Sequence, residues 1–537
     1  MVFDNPEFVR LCRSKMRPGK IVLLAGIAAF ICGGILVLMY LAETQFGRQP
    51  VNNMGEMLRN YFFWCTGIEL AAVTLFGCIL SAQNVVLERE RSTLDFQRLV
   101  AIGPLRLTLG KLFGAPLEAF FVAAVCALFS VLGAMGGAVS PGYFAEVHIA
   151  IFLFGFTMSA LGLLCSCVVE KTNNAAGLAV LLGGALVVLP LMFVGRGGNN
   201  IVAASSPIWF MISVFQHDPL GGYNGYNQAT RVTIDFLGLN MPAVFAGIIV
   251  NAPLALVAFL ACVRRISNDE FSFMNIWQAA LAFAITQFVL IGTFISGGAG
   301  GSPRYSELES FHAVNFAMLL GFTFALTPNG ELVRARLYRA RPGQQWGVLF
   351  ELKNRMQDCP AMAGVLLFTV LYAIVGLVLT QLNGGKPQDF AAIVMVAGAS
   401  MGMAAMLMYV HVYLERGSFR LALIMLIALL ALPPLAMGIT YTWDHAVLVN
   451  PLAYIFNMEK LDRLYMQRNG PAAVGAVWSC PAACLTLGVL GFVLVAMRVR
   501  YVLDVHERER TRDAEAQRKA DQAVPALTAE ARLLAKQ

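Results

Sequence analysis

Glu88–Lys111, reading ERERSTLDFQRLVAIGPLRLTLGK, is the most charged stretch in the first half of a very apolar chain. Each apolar run flanking it is long enough to cross a bilayer, which takes about 20 residues of helix. Glu88, Arg89, Glu90 and Arg91 close the run before it. Ser92-Thr93-Leu94-Asp95 then has the pattern of a capping box, in which Ser92 accepts from the Asp95 amide and Asp95 reaches back to the Ser92 amide. Phe96, Leu99 and Val100 follow at i, i+3, i+4 spacing and form one apolar side of a short helix. Gly103 ends that helix, and Pro104 suits the first turn of the next one, where a missing N–H costs nothing. The expectation is an amphipathic helix lying at the membrane surface between two spans.

The rest of the chain supports a membrane setting. Of 537 residues, 58% are hydrophobic and 13% charged, where a soluble domain carries roughly a quarter charged residues. The mean hydropathy is +0.67. Spans are expected near 21–42, 61–86, 107–135, 146–168, 175–195, 241–263, 274–296, 312–329, 361–381, 389–413, 420–440 and 475–498. That is about twelve, and helices alone satisfy the backbone in lipid at this hydropathy, so the expected fold is an all-α polytopic membrane protein. The net charge of +7 fits Lys and Arg gathered in inside loops, and no basic patch interleaved with aromatics suggests nucleic acid. The basic N-terminus, the 88–111 loop, Lys171, Arg264-Arg265, the 334–355 loop, Arg416, Arg420 and the tail after Arg498 fall on one side, with mainly Arg48, Arg59, Arg196, Arg231, Arg304 and Lys386 on the other, so both termini are expected to be cytoplasmic. Lys460, Arg463 and Arg468 break this pattern and are partly offset by Glu459 and Asp462. Arg10, Arg13, Lys15, Arg17 and Lys20 precede an apolar run too long for a cleavable signal, so the start reads as an inside amphipathic segment leading into a first span.

The loop resembles the cytoplasmic loop of type-2 ATP-binding-cassette (ABC) transporter permeases. The family pattern runs from an acidic-basic pair through Gly/Ser-Thr-Leu and a small residue with Pro to a Gly-Lys opening the next span. It is matched here by Glu88, Arg89, Glu90, Arg91, Ser92, Thr93, Leu94, Gly103, Pro104, Gly110 and Lys111. The resemblance implies a coupling helix that docks on a separate ATPase subunit, with Phe96, Leu99 and Val100 filling a groove on it. It also implies export of lipids, drugs or polymers across the cell membrane. The alternative is an ordinary basic inside loop with a capped surface helix.

Each half of the chain shows two spans, a basic inside loop, three spans, a long outside segment and a sixth span. This gives two six-helix halves, 1–272 and 273–505, each with an inside coupling loop, followed by a charged tail, 506–537, read as a solvated helix. Pro342 takes the place of Pro104, and Asn450-Pro451 that of Ser206-Pro207. The second loop carries Arg334, Arg336, Arg339 and Arg341 in place of the Thr-Leu and Gly-Lys elements, a departure that puts equal coupling in doubt.

No nucleotide-binding loop is expected. Gly103 and Gly110-Lys111 are too widely spaced for a phosphate cradle, and Leu112 stands where a magnesium-ligating hydroxyl would be needed. ATP, if used, belongs to a partner, and this chain is expected to be no enzyme and to hold no cofactor or metal. Eleven cysteines lack the paired spacing of zinc sites and read as small buried hydrophobes. Glu69 and Glu118 fall near mid-depth of the second and third spans, where an ionised group costs on the order of 2.5–3.5 kcal/mol. Two readings stand for them, lining of a translocation path or a carboxyl tie between neighbouring helices. Glu146 and His148 read as a solvated rim of the fourth span. Met401, Met403, Met406 and Met408 read as helix packing, as do Gly133, Gly136, Gly137, Gly398 and Gly402. A second class, an ion-coupled transporter built from repeats, would want matching intramembrane carboxylates in both halves.

Overall fold

The computed structural model describes residues 4–46, 54–99, 102–169, 171–188, 206, 233–237, 239–267, 272, 274–296, 305–326, 361–382, 384–413, 454 and 471–534. Helices come in the order α1 (Pro6–Lys15), α2 (Pro18–Phe46), α3 (Met54–Ala71), a π turn (Ala72–Phe76), α4 (Gly77–Glu90), α5 (Thr93–Leu99), α6 (Pro104–Gly114), α7 (Leu117–Gly136), α8 (Pro141–Val168) and α9 (Thr172–Val188). Then come two short strands, β1 (Thr233–Phe236) and β2 (Leu239–Pro242), and α10 (Ala243–Ser267), α11 (Ile276–Ser296), α12 (Tyr305–Ala325), α13 (Ala361–Leu382), α14 (Pro387–Tyr413) and α15 (Pro471–Leu534). The strands pair antiparallel, with Thr233 opposite Pro242 and Phe236 opposite Leu239, and are the one departure from all-α structure among the described residues.

Nine helical segments among the described residues are long and apolar enough to cross a membrane: 18–44, 54–90, 104–136, 141–168, 244–267, 276–295, 362–382, 387–410 and 477–519. These make the chain an integral, polytopic, helical membrane protein. Three expected spans are not among the nine. α9 is described over 17 residues, the apolar part of α12 covers Phe311–Thr323, and 420–440 lies outside the described residues, as does the second inside loop. The span expected at 107–135 is built from two helices, α6 and α7, that meet at Ala115-Pro116.

The chain divides into two compact units, one of Met1–Asp269 with Ala280–Phe311, the other of Glu270–Ala279 with His312–Gln537. In the first unit α3 packs on α7, α4 on α8, and α8 on α10. Phe62, Val73, Val86, Ile151, Phe154 and Met158 lie in its buried centre. In the second, α14 runs along α15, close enough that a methyl on Gly398 would lie 2.6 Å from the Leu485 amide nitrogen. Small residues therefore set the helix spacing there, as the sequence suggests. The outward-facing residues of the spans are large and apolar, among them Leu23, Phe30, Leu128 and Leu382, as a lipid-facing surface requires.

Candidate functional site: a strapped membrane-surface loop

α4 ends in a tight turn. The Arg91 amide donates to the Leu87 carbonyl at 3.1 Å and the Ser92 amide to that of Arg89 at 3.0 Å. Ser92 takes φ 56°, the left-handed region. A capping-box serine sits in extended backbone, so the expectation for Ser92 is corrected: it terminates α4 rather than opening α5 as a capping box does. The Thr93 hydroxyl adds to that ending by donating to the Glu88 carbonyl at 3.1 Å. A position needing φ > 0 favours glycine and tolerates a few small polar residues.

The charged run before this turn is paired within the chain. Arg89 Nη1 donates to the Val169 carbonyl at the end of α8, at 3.2 Å. Glu90 meets the start of α9 with both oxygens, Oε1 accepting from the Thr172 amide at 3.0 Å and Oε2 from the Thr172 hydroxyl at 2.8 Å. A carboxylate at a helix N-terminus suits the dipole and satisfies an amide that has no partner within the helix.

Glu88 goes deeper. Its Oε2 pairs with Lys111 Nζ, and its Oε1 accepts from Arg10 Nη2 at 2.5 Å. Glu7 closes the cluster, 3.0 Å from Lys111 Nζ and 2.8 and 2.9 Å from the Arg10 guanidinium nitrogens. Two carboxylates thus face two cations, and Lys111 has no exposed surface. Burial pushes the Glu7 carboxyl upward, but the Arg10 hydrogen bonds and the Lys111 charge outweigh it and hold Glu7 below the usual carboxylate range. Arg10 is held further toward its charged form by the hydrogen bond to Glu7, against the cost of burial.

α1 is positioned to deliver Glu7. Asn5 caps it, Oδ1 accepting from the Glu7 amide at 3.0 Å, and Pro6 stands at its first position. The Asn5 amide also donates to the Arg106 carbonyl at 2.5 Å, tying α1 to α6. Gly110 is where the two helices touch, since a methyl there would lie 2.8 Å from Glu7 Cβ. Farther along, Lys15 Nζ donates to the Ala115 carbonyl at 2.5 Å and Lys20 pairs with Glu118 at 2.8 Å. The corner between α6 and α7 is held from both sides.

Leu94 faces inward and is 2% exposed, among Val85, Leu107, Leu163, Cys262 and Ile266. Phe96 points away, 69% exposed, alongside exposed Arg91, Ser92 and Thr93. The side chains of Asp95 and Leu99 and all of Val100 lie outside the described residues.

Of the two intramembrane carboxylates, Glu118 ties α7 to the start of α2 through Lys20, and Glu69 meets His148, whose Nε2 lies 3.1 Å from Glu69 Oε2. His148 is 8% exposed, which corrects its expected place on a solvated rim. Sequence reading missed the partners: Glu7 for Lys111, Lys20 for Glu118, His148 for Glu69. An Asn-Pro-Glu start signals a capped helix, but nothing local says what that helix packs against. No family model, curated protein or solved structure matches the chain.

Proposed function

We propose that this chain is the membrane-spanning permease subunit of an ABC transporter, an exporter of the cell membrane with both termini in the cytoplasm, driven by a separate ATPase that binds and hydrolyses the ATP. The observation that carries the reading is the loop 91–99, tied to the bundle through Glu88, Arg89 and Glu90 at its start and through buried Leu94, yet turning Phe96 outward. Arg89 and Glu90 hold the ends of α8 and α9, and Glu88 holds α1 and α6. A force on α5 would therefore reach four helices through short polar contacts rather than through slack chain. Electrostatic docking falls to Arg91 and apolar docking to Phe96, because Glu88, Arg89 and Glu90 are committed within the chain.

Co-purification of ATPase activity with the tagged chain from its native membranes tests this. Phe96→Asp is expected to abolish co-purification while changing stability by no more than about 0.5 kcal/mol, as exposed substitutions usually do. Leu94→Asp, which buries a charge without a partner, is expected to collapse the loop and lose both. ATPase retained at wild-type level by Phe96→Asp overturns the reading. The buried Glu69–His148 pair favours a second reading, a proton-coupled transporter. It predicts uptake or export driven by a pH gradient in vesicles that contain no ATPase.

A further inference from the structure

Glu69 on α3 and His148 on α8 meet away from the loop. Glu69 is fully buried, and His148 retains 10% of its side-chain exposure. The imidazole has both nitrogens engaged. Nδ1 lies 2.8 Å from the Phe144 carbonyl, and Nε2 lies 3.1 Å from Glu69 Oε2 and 3.1 Å from Ser130 Oγ on α7. The Ser130 hydroxyl also reaches the Ala127 carbonyl at 2.8 Å. Phe144 stacks on the imidazole with ring centroids 4.1 Å apart, and Phe62 stands at 6.4 Å.

A carbonyl can only accept, so Nδ1 carries a hydrogen. With the Ser130 hydrogen given to Ala127, Nε2 faces oxygen on two sides. Were Nε2 and the Glu69 carboxylate both bare, lone pairs would oppose one another at 3.1 Å in an apolar wall. A single proton between them removes the conflict. It gives either imidazolium beside carboxylate or imidazole accepting from a carboxylic acid, and either pair is neutral overall. That neutrality is what an apolar interior demands. Among the described residues, Cys65 on α3 and Cys126 on α7 also interact electrostatically with Glu69, Cys32 and Tyr61 adjoin those thiols, and Tyr143 and Glu146 flank His148 on α8. None of these supplies a positive charge to replace the proton. Neither oxygen of Glu69 completes a hydrogen bond among the described residues, the 3.1 Å approach of Nε2 to Oε2 being an ion-pair distance, and three residues beyond Glu69 the helix widens into the π turn. Such turns recur at functional sites.

We infer that Glu69 and His148 form a proton-binding site within the membrane-spanning bundle, whose one proton joins α3 to α8 and whose removal parts them. His148 is the more exposed partner and begins about 10 Å along α8 from Pro141, so the proton enters and leaves through its ring. On release, a water or hydroxide takes the proton from Nε2. That leaves a neutral imidazole with its hydrogen on Nδ1 and a carboxylate on Glu69, and nothing is oxidised or reduced.

Infrared difference spectra of the purified full chain in lipid, from about pH 5 to about pH 9, test the site. Carboxyl and imidazole bands are expected to change together with one midpoint. Glu69→Gln should remove both, and His148→Asn should remove the ring band and shift the carboxyl midpoint. Labelling of the buried thiols Cys65 and Cys126 gives a second measurement. Alkaline pH should speed it several-fold more in the wild type than in Glu69→Gln, whose amide can donate to Nε2 at any pH. Identical difference spectra for wild type and Glu69→Gln, a carboxyl midpoint unmoved in His148→Asn, or equal labelling ratios would each overturn the proposal. The measurement needs no ATPase, so its outcome is separate from that of the Phe96 test.

Discussion

Lys111 is a cation with no exposed surface, and it is tolerated because Glu7 and Glu88 approach it from two different helices. Taking away one member of such a cluster costs more than the cluster contributes, since the remaining charges stay buried without compensation. Lys111→Ala is expected to destabilise the first unit by about 3–5 kcal/mol, read as a lowered midpoint of thermal unfolding in detergent. Adding Glu88→Gln should return part of that loss, because the double variant removes one of the carboxylates left facing each other. Lys111 is visible in the sequence as the end of the loop pattern. Its partner Glu7 is not, because the two stand 104 residues apart and no local spacing connects them. Ser92 teaches the same at shorter range: residue types alone suggest a capping box, whereas its φ of 56° is decided by how α4 stops.

Among the elements, α1 carries the largest surprise. Its basic residues lead the sequence reading to expect an inside amphipathic segment, and the structure shows a capped helix there. What fixes it is a seam of small residues on α6, where Gly110 admits Glu7 and Gly114 admits Leu11. Gly110→Val is expected to push α1 off α6, with an overpacking cost of about 1–3 kcal/mol. Hydrogen exchange should show lost protection over 6–15, while the Leu94 cluster beneath α5 keeps its own. α5 itself is short enough that only Leu94 is anchored in the described core. The sequence marks Phe96, Leu99 and Val100 as one apolar face; the anchoring residue is the leucine before them.

At the scale of the whole molecule, hydropathy makes the helical membrane fold legible, and nine of the expected spans are present among the described residues. The others are α9, described over 17 residues, the short apolar part of α12, and 420–440, which lies outside those residues; the two-fold repeat is read from the sequence pattern. The small β1–β2 pair just before α10 carries no hydropathy signature and was not foreseen. The proposed orientation places the turn before α8 outside and the charged stretch of α15 inside. Gly142→Cys and Glu509→Cys are both on exposed positions. In intact cells an impermeant thiol reagent is expected to modify the first and spare the second. Modification of Glu509→Cys before lysis would reverse the topology.

The bond from Asn5 to Arg106 spans 101 residues of chain. At about 5–20 residues per second, the ribosome emits α1 roughly 5–20 s before the helix it belongs against. During that interval Glu7 has no Lys111, while Arg13, Lys15 and Arg17 are free to rest on anionic headgroups. In the proposed orientation α1 therefore rests on the lipid surface until the third membrane segment arrives to take it up.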